Sequence, residues 1–364
     1  MKNLLRKIYV HITIVPFYWY YRFFFNPKAG KKNILLDLKE NHFKRYLYLL
    51  IKFLHLQGYT IYINRNFNLL YELKKENCVS FLFDEKIVNL GVPPSQTELI
   101  NLNDQVLSAD YFSSTSTEKN QSPENVCFIP MAQHPLMYHA GWWNVPLENV
   151  KRKRSLFMAG NFDEQIYDTI KTDDLFSVLS RTDVYSFLNR KKLLLPIKSM
   201  NDLHHFFTAN NDNQILLLDR LQMDVPMNEL RDWLSKFDFF FALPGITIPF
   251  SHNIIEAMSA GCIPFIQWSY ADMFMPPLCD GKQVITFDNS DDLENKIDYL
   301  FSLAPDEIEL LRKGVNEYYN NFLIPSSVVA SMEACGFNKI YLQAESHSVT
   351  LLRNNVIKEN ALKK

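Results

Sequence analysis

The stretch "FFFALPGITIPFSHNIIEAMSAGCIPFI", residues 239 to 266, decides the fold of this chain. Its first apolar run ends at Pro244 and is predicted to be a buried strand. A helix is expected to begin near Ser251, since serine caps helix starts, and to end at Gly261, since glycine commonly follows a helix. A second apolar run comes next. The stretch therefore predicts a strand, a loop, a helix and a strand, with one acidic residue, Glu256, inside an otherwise small and apolar helix.

The predicted helix carries a polar face around Glu256. His252 lies four positions and Asn253 three positions before it, and these spacings put the three side chains on one side. In parallel α/β sheets, ligands bind beyond the carboxyl ends of the strands, where helix amino termini favour anions such as phosphate. We therefore expect Glu256 to point into a cleft and to accept hydrogen bonds from neighbouring sugar hydroxyls. The alternative is a helix with one solvated glutamate.

Apolar runs alternate with helical spacing in the first half of the chain. Strands are predicted over 33–38, 60–65 and 79–83, with helices over 39–57 and 66–75 between them. This βαβαβ order predicts a parallel sheet with right-handed crossovers. Apolar stretches near 97–102 and 126–130 are expected to complete that sheet, and the polar segment 113–125 is predicted to be an exposed loop.

A second alternation follows and predicts a second sheet. Its first strand ends at Gly160. Further strands are expected over 193–196, 214–219, 238–243, 262–267 and 284–287. Helices are expected near 200–208, 226–236, 290–302 and 305–322. The predicted fold is α/β, with two Rossmann-like domains that face each other across a cleft. The predicted parts are an amino-terminal segment (1–30), an acceptor-side domain (31–149), a domain that binds the nucleotide sugar (150–328) and a partly helical tail (329–364).

Composition and charge exclude several classes of protein. The 364 residues carry a formal net charge of −2, which is not typical of a nucleic-acid-binding protein. Residues 1–32 hold seven basic and no acidic residues, so the remainder has 31 basic against 40 acidic residues. The five cysteines are scattered and include no CxxC pair. This pattern predicts a reducing, cytoplasmic environment with neither a disulfide framework nor a zinc site.

The amino-terminal run "IYVHITIVPFYWYYRFFF", residues 8 to 25, is the most apolar part of the chain. His11, Thr13, Pro16 and Arg22 interrupt it, so it falls short of the roughly 20 apolar residues of a membrane span. Aromatic residues mixed with basic ones favour the headgroup zone of a bilayer. The segment is predicted to hold the protein at an anionic membrane surface, on the inner face of the cytoplasmic membrane. The alternative is a buried structural element.

Residues 225 to 266 resemble the nucleotide-sugar-binding element of GT-B glycosyltransferases. The similarity rests on a strand that ends in proline, a helix with Glu-Ala, a small residue and glycine, and a strand that opens with proline. The matching positions are Pro244, Glu256-Ala257, Ala260-Gly261 and Pro264. The version "SHNIIEAMSAGCIPFI" is most similar to exostosin-like glycosyltransferases. The resemblance implies that Glu256 binds the ribose of the donor and that Ser251, His252 and Asn253 lie near its phosphates.

The chain departs from the related patterns at two places. Retaining relatives carry an extra glutamate eight residues before the second one, where this chain has Ile248, and this favours an inverting mechanism. The exostosin-like pattern places an arginine two or three residues after its serine, where this chain has Asn253 and Ile254. A cation that binds phosphate must then come from elsewhere.

Further candidate residues follow from the chemistry of glycosyl transfer. Basic residues and strand ends near the phosphates would stabilise the leaving nucleoside diphosphate without a metal, and Arg154, Gly160 and Arg220 are the candidates. An inverting enzyme also needs a general base, for which Asp37 and His42 are the candidates. His134, Tyr138 and His139 lie next to the predicted cleft and are candidates for the acceptor side. For each group the alternative is an ordinary structural role, as surface charge, helix cap or packed linker.

These patterns predict an inverting, metal-independent glycosyltransferase of surface polysaccharide biosynthesis, with no cofactor besides its nucleotide-sugar substrate. It would move a sugar to a hydroxyl of a glycan or lipid-linked glycan acceptor. No nucleic-acid partner is expected. Two alternatives remain open, namely a nucleotide-sugar epimerase of the same fold and a non-catalytic protein that binds nucleotides or glycans.

Overall fold

The computed structural model describes residues 2–25, 32–94, 99–113, 125–171, 175–209 and 211–362. The centre of the predicted exposed loop, at 114–124, lies outside these residues. The chain forms two compact units, of which unit 1 contains Met1–Pro130 and Ile324–Lys364 and unit 2 contains Met131–Leu323. The division follows Pro130, earlier than the predicted bound at 149, and the predicted tail belongs to unit 1.

The strands are short and apolar. In chain order they are β1 Lys32–Asp37, β2 Tyr59–Ile63, β3 Val88–Leu90, β4 Leu99–Asn103, β5 Leu107–Ser108, β6 Val126–Phe128, β7 Lys153–Gly160, β8 Ile215–Asp219, β9 Phe237–Ala242, β10 Ile263–Gln267, β11 Ile285–Phe287 and β12 Lys339–Tyr341.

The helices connect and cover these strands. The α-helices are Lys2–Phe24, Arg45–Leu56, Phe67–Lys75, Phe81–Asp84, Pro135–His139, Glu164–Tyr167, Arg181–Arg190, Met200–Thr208, Leu230–Ser235, His252–Ser259, Trp268–Ala271, Ser290–Ser302, Pro305–Tyr318, Pro325–Ala334 and Ser346–Leu362. A 3₁₀ turn covers Asp168–Lys171, and a π-helical turn covers Tyr319–Leu323. Within the described part of the chain, no helix has the length and apolar content needed to cross a bilayer.

Unit 1 contains a four-stranded parallel sheet with the order β3-β2-β1-β4. The predicted strand at 79–83 is wrong, because Phe81–Asp84 is a short helix and β3 follows it at Val88–Leu90. Leu82 and Phe83 are buried from that helix, and a short apolar run alone cannot distinguish a buried strand from a buried helical turn.

A second, three-stranded parallel sheet completes unit 1, with the order β5-β12-β6. The predicted strand near 126–130 exists as β6, but it does not join the first sheet as expected. It pairs with β12, a strand from the carboxyl-terminal part of the chain. Long-range pairing of this kind leaves no local signal in the sequence.

Unit 2 contains a five-stranded parallel sheet with the order β11-β10-β9-β7-β8. All six residues of β9 are buried, and the Phe157 and Phe237 rings stack in the core with centroids 4.3 Å apart. The predicted strand at 193–196 is reduced to one bridge between Leu194 and Ile215. The α/β class, with a parallel Rossmann-like sheet in each unit, is as the sequence predicts.

A close contact in unit 2 gives a test of this packing. Gly314 lies in the helix Pro305–Tyr318, and a Cβ at this position would overlap the carbonyl oxygen of Lys282. We expect Gly314→Ala to lower the free energy of unfolding by about 1–3 kcal/mol, because the backbone at Lys282 must move. Urea denaturation measures the change. The exposed neighbour Lys313→Ala is the control and should leave stability almost unchanged, whereas equal effects of both variants would contradict the packing.

Candidate functional site

The carboxyl edge of the unit 2 sheet carries the site. β7 and β9 are neighbours in the sheet, and the chain continues from β7 to β8 on one side and from β9 to β10 and β11 on the other. The crossover connections therefore diverge between β7 and β9. Open parallel sheets bind ligands at such switch points. The loop that leaves β9 leads into the helix His252–Ser259, which carries Glu256. We call this element the Glu256 helix.

The Glu256 carboxylate is completely buried. Its Oε1 accepts a hydrogen bond from the backbone N–H of His134 at 3.0 Å and lies 3.0 Å from Nδ1 of His252. Its Oε2 is also buried and has no hydrogen-bond partner among the described residues. A buried polar atom without a partner is costly, so this oxygen has the capacity to accept a hydrogen bond from a ligand.

The surroundings of Glu256 keep its carboxyl group ionised. Burial alone would raise its pKa, but the attraction of His252 and the hydrogen bonds from His252 and the His134 N–H outweigh it. The pKa of Glu256 therefore lies below its ordinary value of 4.5. The side chain of His252 is 26% exposed, so an imidazole links the buried carboxylate to solvent.

The segment that carries His134 is fixed to the Glu256 helix by Arg231. Its Nη1 donates to the carbonyl oxygens of Trp142 and Val145 at 3.0 and 2.8 Å, and its Nε donates to Oγ of Ser259 at 3.0 Å. The Ser259 hydroxyl in turn donates to the carbonyl oxygen of Glu256 at 2.7 Å. This network holds the His134 N–H against the carboxylate. Arg231 is not recognisable as a site residue from the sequence, because an arginine on a short amphipathic helix resembles a solvated surface charge.

The three predicted acceptor-side residues belong to unit 2, and His134 lies beside Glu256. His134 caps the helix Pro135–His139, and its ring lies edge-on to that of His252 at 4.9 Å. Tyr138 is buried and stacks on Trp143. Burial is the main reason why the pKa of Tyr138 lies well above its ordinary value. His139 is half-buried at the end of the same helix. The sequence placed these residues in the first domain, whereas the structure groups them with the donor-site candidates.

Gly160 and Asn253 meet at the carboxyl end of β7. The Asn253 Nδ2 donates to the carbonyl oxygen of Ala159 at 3.2 Å and would lie 3.7 Å from a Cβ at position 160. That Cβ would also lie only 2.9 Å from Nη1 of Arg181. Glycine at this strand end therefore leaves room for two polar side chains.

Arg181 is a further cation at this edge, and no pattern in the sequence marks it. It is 3% exposed, and it bridges the ends of β7 and β9 by donating to the carbonyl oxygens of Asn161 at 3.0 Å and Pro244 at 3.1 Å. Its guanidinium carbon lies 4.1 Å from the centre of the Tyr167 ring. It forms no ion pair with a carboxylate of the described chain, and its Nε has no hydrogen-bond partner there. Burial lowers its pKa from the ordinary value.

Two other donor-side candidates lie at the same edge of the sheet. Ser251 takes the position before the helix with an extended backbone, but its side chain makes no capping hydrogen bond, and its own N–H donates to the Tyr270 hydroxyl at 2.9 Å. Arg220 follows β8, is 69% exposed, and pairs with Asp224 at 3.3 Å. Its backbone N–H donates to the carbonyl oxygen of Gly160.

The structure does not bring Arg154 to this group. Arg154 is the second residue of β7, and its Nη1 lies 3.5 Å from the carbonyl oxygen of Phe301. Gly160 ends the same strand, so the two residues are separated by roughly 20 Å of extended chain. Arg154 therefore lies at the amino edge of the sheet, away from the strand ends near Gly160, Asn253 and Arg181.

The two candidates for the general base lie in unit 1. Asp37 ends β1, is exposed, and accepts from the Asn64 side chain at 2.9 Å. It does not cap the following helix, which begins at Arg45. The His42 ring stacks on His347 at 4.6 Å and helps to line a surface pocket of about 450 Å³. Among the residues that the structure describes, no three His, Cys, Asp or Glu side chains are arranged to hold a metal ion.

Comparisons with known proteins give distant structural likenesses. No family model matches the chain, and no curated protein does. Solved structures that resemble it include HepE from Anabaena in complex with UDP, with a TM-score of 0.40, 11% identity, and coverage of 83% of this chain and 98% of that one. Sucrose-phosphate synthase from Thermosynechococcus elongatus has a TM-score of 0.36 and 10% identity, with 83% and 97% covered. A glycosyltransferase from Rickettsia africae has a TM-score of 0.35 and 13% identity, with 84% and 98% covered. TM-scores below 0.5 mark these likenesses as distant, so they establish neither a family nor a function for this chain.

The depressed pKa of Glu256 gives a test of its environment. A carboxylate with a lowered folded-state pKa contributes stability above its unfolded pKa, near 4.5, and loses that contribution as the pH falls through the folded value. We expect Glu256→Gln to be less stable than the parent chain at about pH 7, with a difference that shrinks toward about pH 3. Urea unfolding across this range measures it. The exposed Glu317→Gln serves as the control, and a difference for Glu256→Gln that stays constant or grows toward acid would contradict the assignment.

Proposed function

We propose that the protein is a glycosyltransferase that uses a nucleotide-sugar donor. The observation that carries the proposal is the buried, ionised Glu256 carboxylate, whose Oε2 has no hydrogen-bond partner among the described residues. A hydroxyl donor satisfies this oxygen, and a ribose offers two neighbouring hydroxyls. The position of Glu256, on the helix after a central strand of a parallel sheet, agrees with the sequence resemblance to exostosin-like GT-B glycosyltransferases.

The charges around the Glu256 helix suit a diphosphate. The amino end of this eight-residue helix lies at the carboxyl edge of the sheet, where its dipole favours an anion. Arg181 adds a positive charge beside Gly160 without a paired carboxylate of the described chain. A buried positive charge raises the potential of the edge and would stabilise a departing nucleoside diphosphate. We propose Arg181 for the role that the sequence left unassigned, with Asn253 and Gly160 shaping the same edge.

The acceptor chemistry follows from the same proposal. The donor sugar would pass to a hydroxyl of a glycan or lipid-linked glycan in surface polysaccharide synthesis, with inversion and without a metal. Asp37 and His42 remain the proposed candidates for the general base, because each stands at or just after the end of β1 with its side chain open to solvent. His134, Tyr138 and His139 remain proposed sugar contacts.

A panel of nucleoside diphosphates in a thermal-shift assay tests donor binding. A ligand that binds only the folded state raises the melting temperature. We expect at least one nucleoside diphosphate to stabilise the parent chain, and Glu256→Gln to weaken its binding by about tenfold or more, since a neutral amide is a poorer acceptor for a hydroxyl. Glu317→Gln should bind like the parent chain. Stabilisation of Glu256→Gln equal to that of the parent would remove Glu256 from the site.

Incubation with nucleotide sugars but no acceptor separates the reaction classes. Slow release of nucleoside diphosphate supports a transferase, because water can replace the absent acceptor. Conversion to an epimeric nucleotide sugar would instead identify an epimerase. Binding that persists unchanged with acceptor glycans and yields no product would identify a non-catalytic binding protein.

A further inference from the structure

The helix Lys2–Phe24 packs along unit 1 with one face only. Val10, Ile14, Tyr18 and Tyr21 are buried to between 1% and 3% exposure on that face. Its rings contact the rest of the unit edge-on, with Tyr18 against Phe67 at 5.6 Å and Tyr21 against Phe83 at 5.6 Å. The helix therefore lies on the unit as an integral surface element, and its opposite face points outward.

The opposite face is apolar and exposed, and we call it the outer aromatic face. The side chains that form it are between 43% and 75% exposed, and they are Tyr9, Ile12, Trp19, Tyr20, Phe23 and Phe24. The spacing of three, four and seven positions places these residues on one side of an α-helix. Scattered exposed apolar residues are ordinary, but a contiguous stripe of four aromatic rings at the end of one helix marks an interaction surface.

Cations lie along the sides of the helix, next to the outer aromatic face. Lys74 and Lys86 are exposed, and their Nζ atoms lie 4.0 Å from the centre of the Phe17 ring and 4.5 Å from that of Phe25. Arg22 lies 6.0 Å from the centre of the Trp19 ring and Lys75 lies 5.7 Å from that of Tyr71. The acidic neighbours are Glu72, Glu76 and Asp84. The sequence adds that residues 1–32 contain seven basic and no acidic residues. A stripe of aromatic rings bordered by cations complements a surface whose outer layer is negatively charged and whose inner layer is apolar.

We propose that the outer aromatic face docks on the anionic headgroup layer of a lipid bilayer, with the helix lying parallel to the surface. Tyr and Trp rings are stable in the headgroup zone, where one end is apolar and the other meets water. Phe23 and Phe24 would reach the acyl boundary, and the lysines would meet anionic lipid. A lipid surface fits both observations, because it supplies negative charge and an apolar layer at once. The buried face stays packed on unit 1 throughout.

Vesicle sedimentation with the full chain tests the proposal. We expect the protein to bind phosphatidylcholine vesicles that contain about 30% phosphatidylglycerol, and to bind pure phosphatidylcholine weakly. The triple variant Trp19→Ser, Phe23→Ser, Phe24→Ser should lose about tenfold or more of this binding. Leu221→Ser, which changes a 74% exposed apolar residue of unit 2, is the matched control and should bind like the parent chain.

A charge variant keeps the test decisive if the triple variant folds poorly. Lys74→Gln, Lys75→Gln, Lys86→Gln leaves every ring in place, and its binding to the anionic vesicles should fall by about tenfold while its far-ultraviolet circular dichroism stays unchanged. Raised salt should weaken binding of the parent chain in the same direction. Loss of binding in both variants, with the control unaffected, supports the proposal.

Three outcomes would overturn it. The first is that the parent chain does not bind anionic vesicles, and the second is that the variants bind them as tightly as the parent chain does. The parent chain could also form a dimer that the triple variant abolishes, with no vesicle binding, in which case a second copy of the chain covers the face. Because none of the substituted residues belongs to the Glu256 site, stabilisation by nucleoside diphosphates should persist in every variant, and failure of donor binding is a separate result.

Discussion

The site of unit 2 depends on the desolvated charge of Glu256. Glu256 has no exposed surface, so its carboxylate must obtain from the protein the hydrogen bonds that water would otherwise supply. One oxygen obtains them from a backbone N–H and an imidazole. This requirement explains why Arg231 ties the His134 segment to the Glu256 helix. If that segment moved away, an ionised group would lose its partner in an apolar interior, so the carboxylate and the loop hold each other in place.

Only part of this arrangement is predictable from the sequence, namely the contacts between residues that are close in the chain. The pattern of the Glu256 helix was enough to place His252, Asn253 and Glu256 on one face, because helical geometry relates residues that are close in the chain. The His134 N–H is 122 positions from Glu256, and no local pattern links the two. Arg154 was misplaced although it stands at the start of its strand, where a residue lies at the amino edge of a parallel sheet. Arg181 was missed because its partners Asn161 and Pro244 are 20 and 63 positions away in the chain.

The fold was predictable where burial acts locally. The strand and helix order of unit 2 follows from apolar runs with glycine and proline at their ends, and the parallel sheet follows from that order. The short runs were ambiguous. The run at 79–83 enters the short helix Phe81–Asp84, and the four residues at 193–196 form one bridge. Both segments are too short for periodicity to distinguish strand from helix, so tertiary packing decides them.

The place of β12 has a consequence for how the chain is made. This strand lies between β5 and β6, and the whole of unit 2 is encoded between β6 and β12. On the ribosome, β5 and β6 emerge long before the strand that joins them, whereas unit 2 emerges as one continuous piece. Unit 2 can therefore fold during translation, whereas β5 and β6 of unit 1 must wait for β12 with unpaired edges. A polypeptide released early, anywhere before β12, would keep those edges open to pairing with other chains.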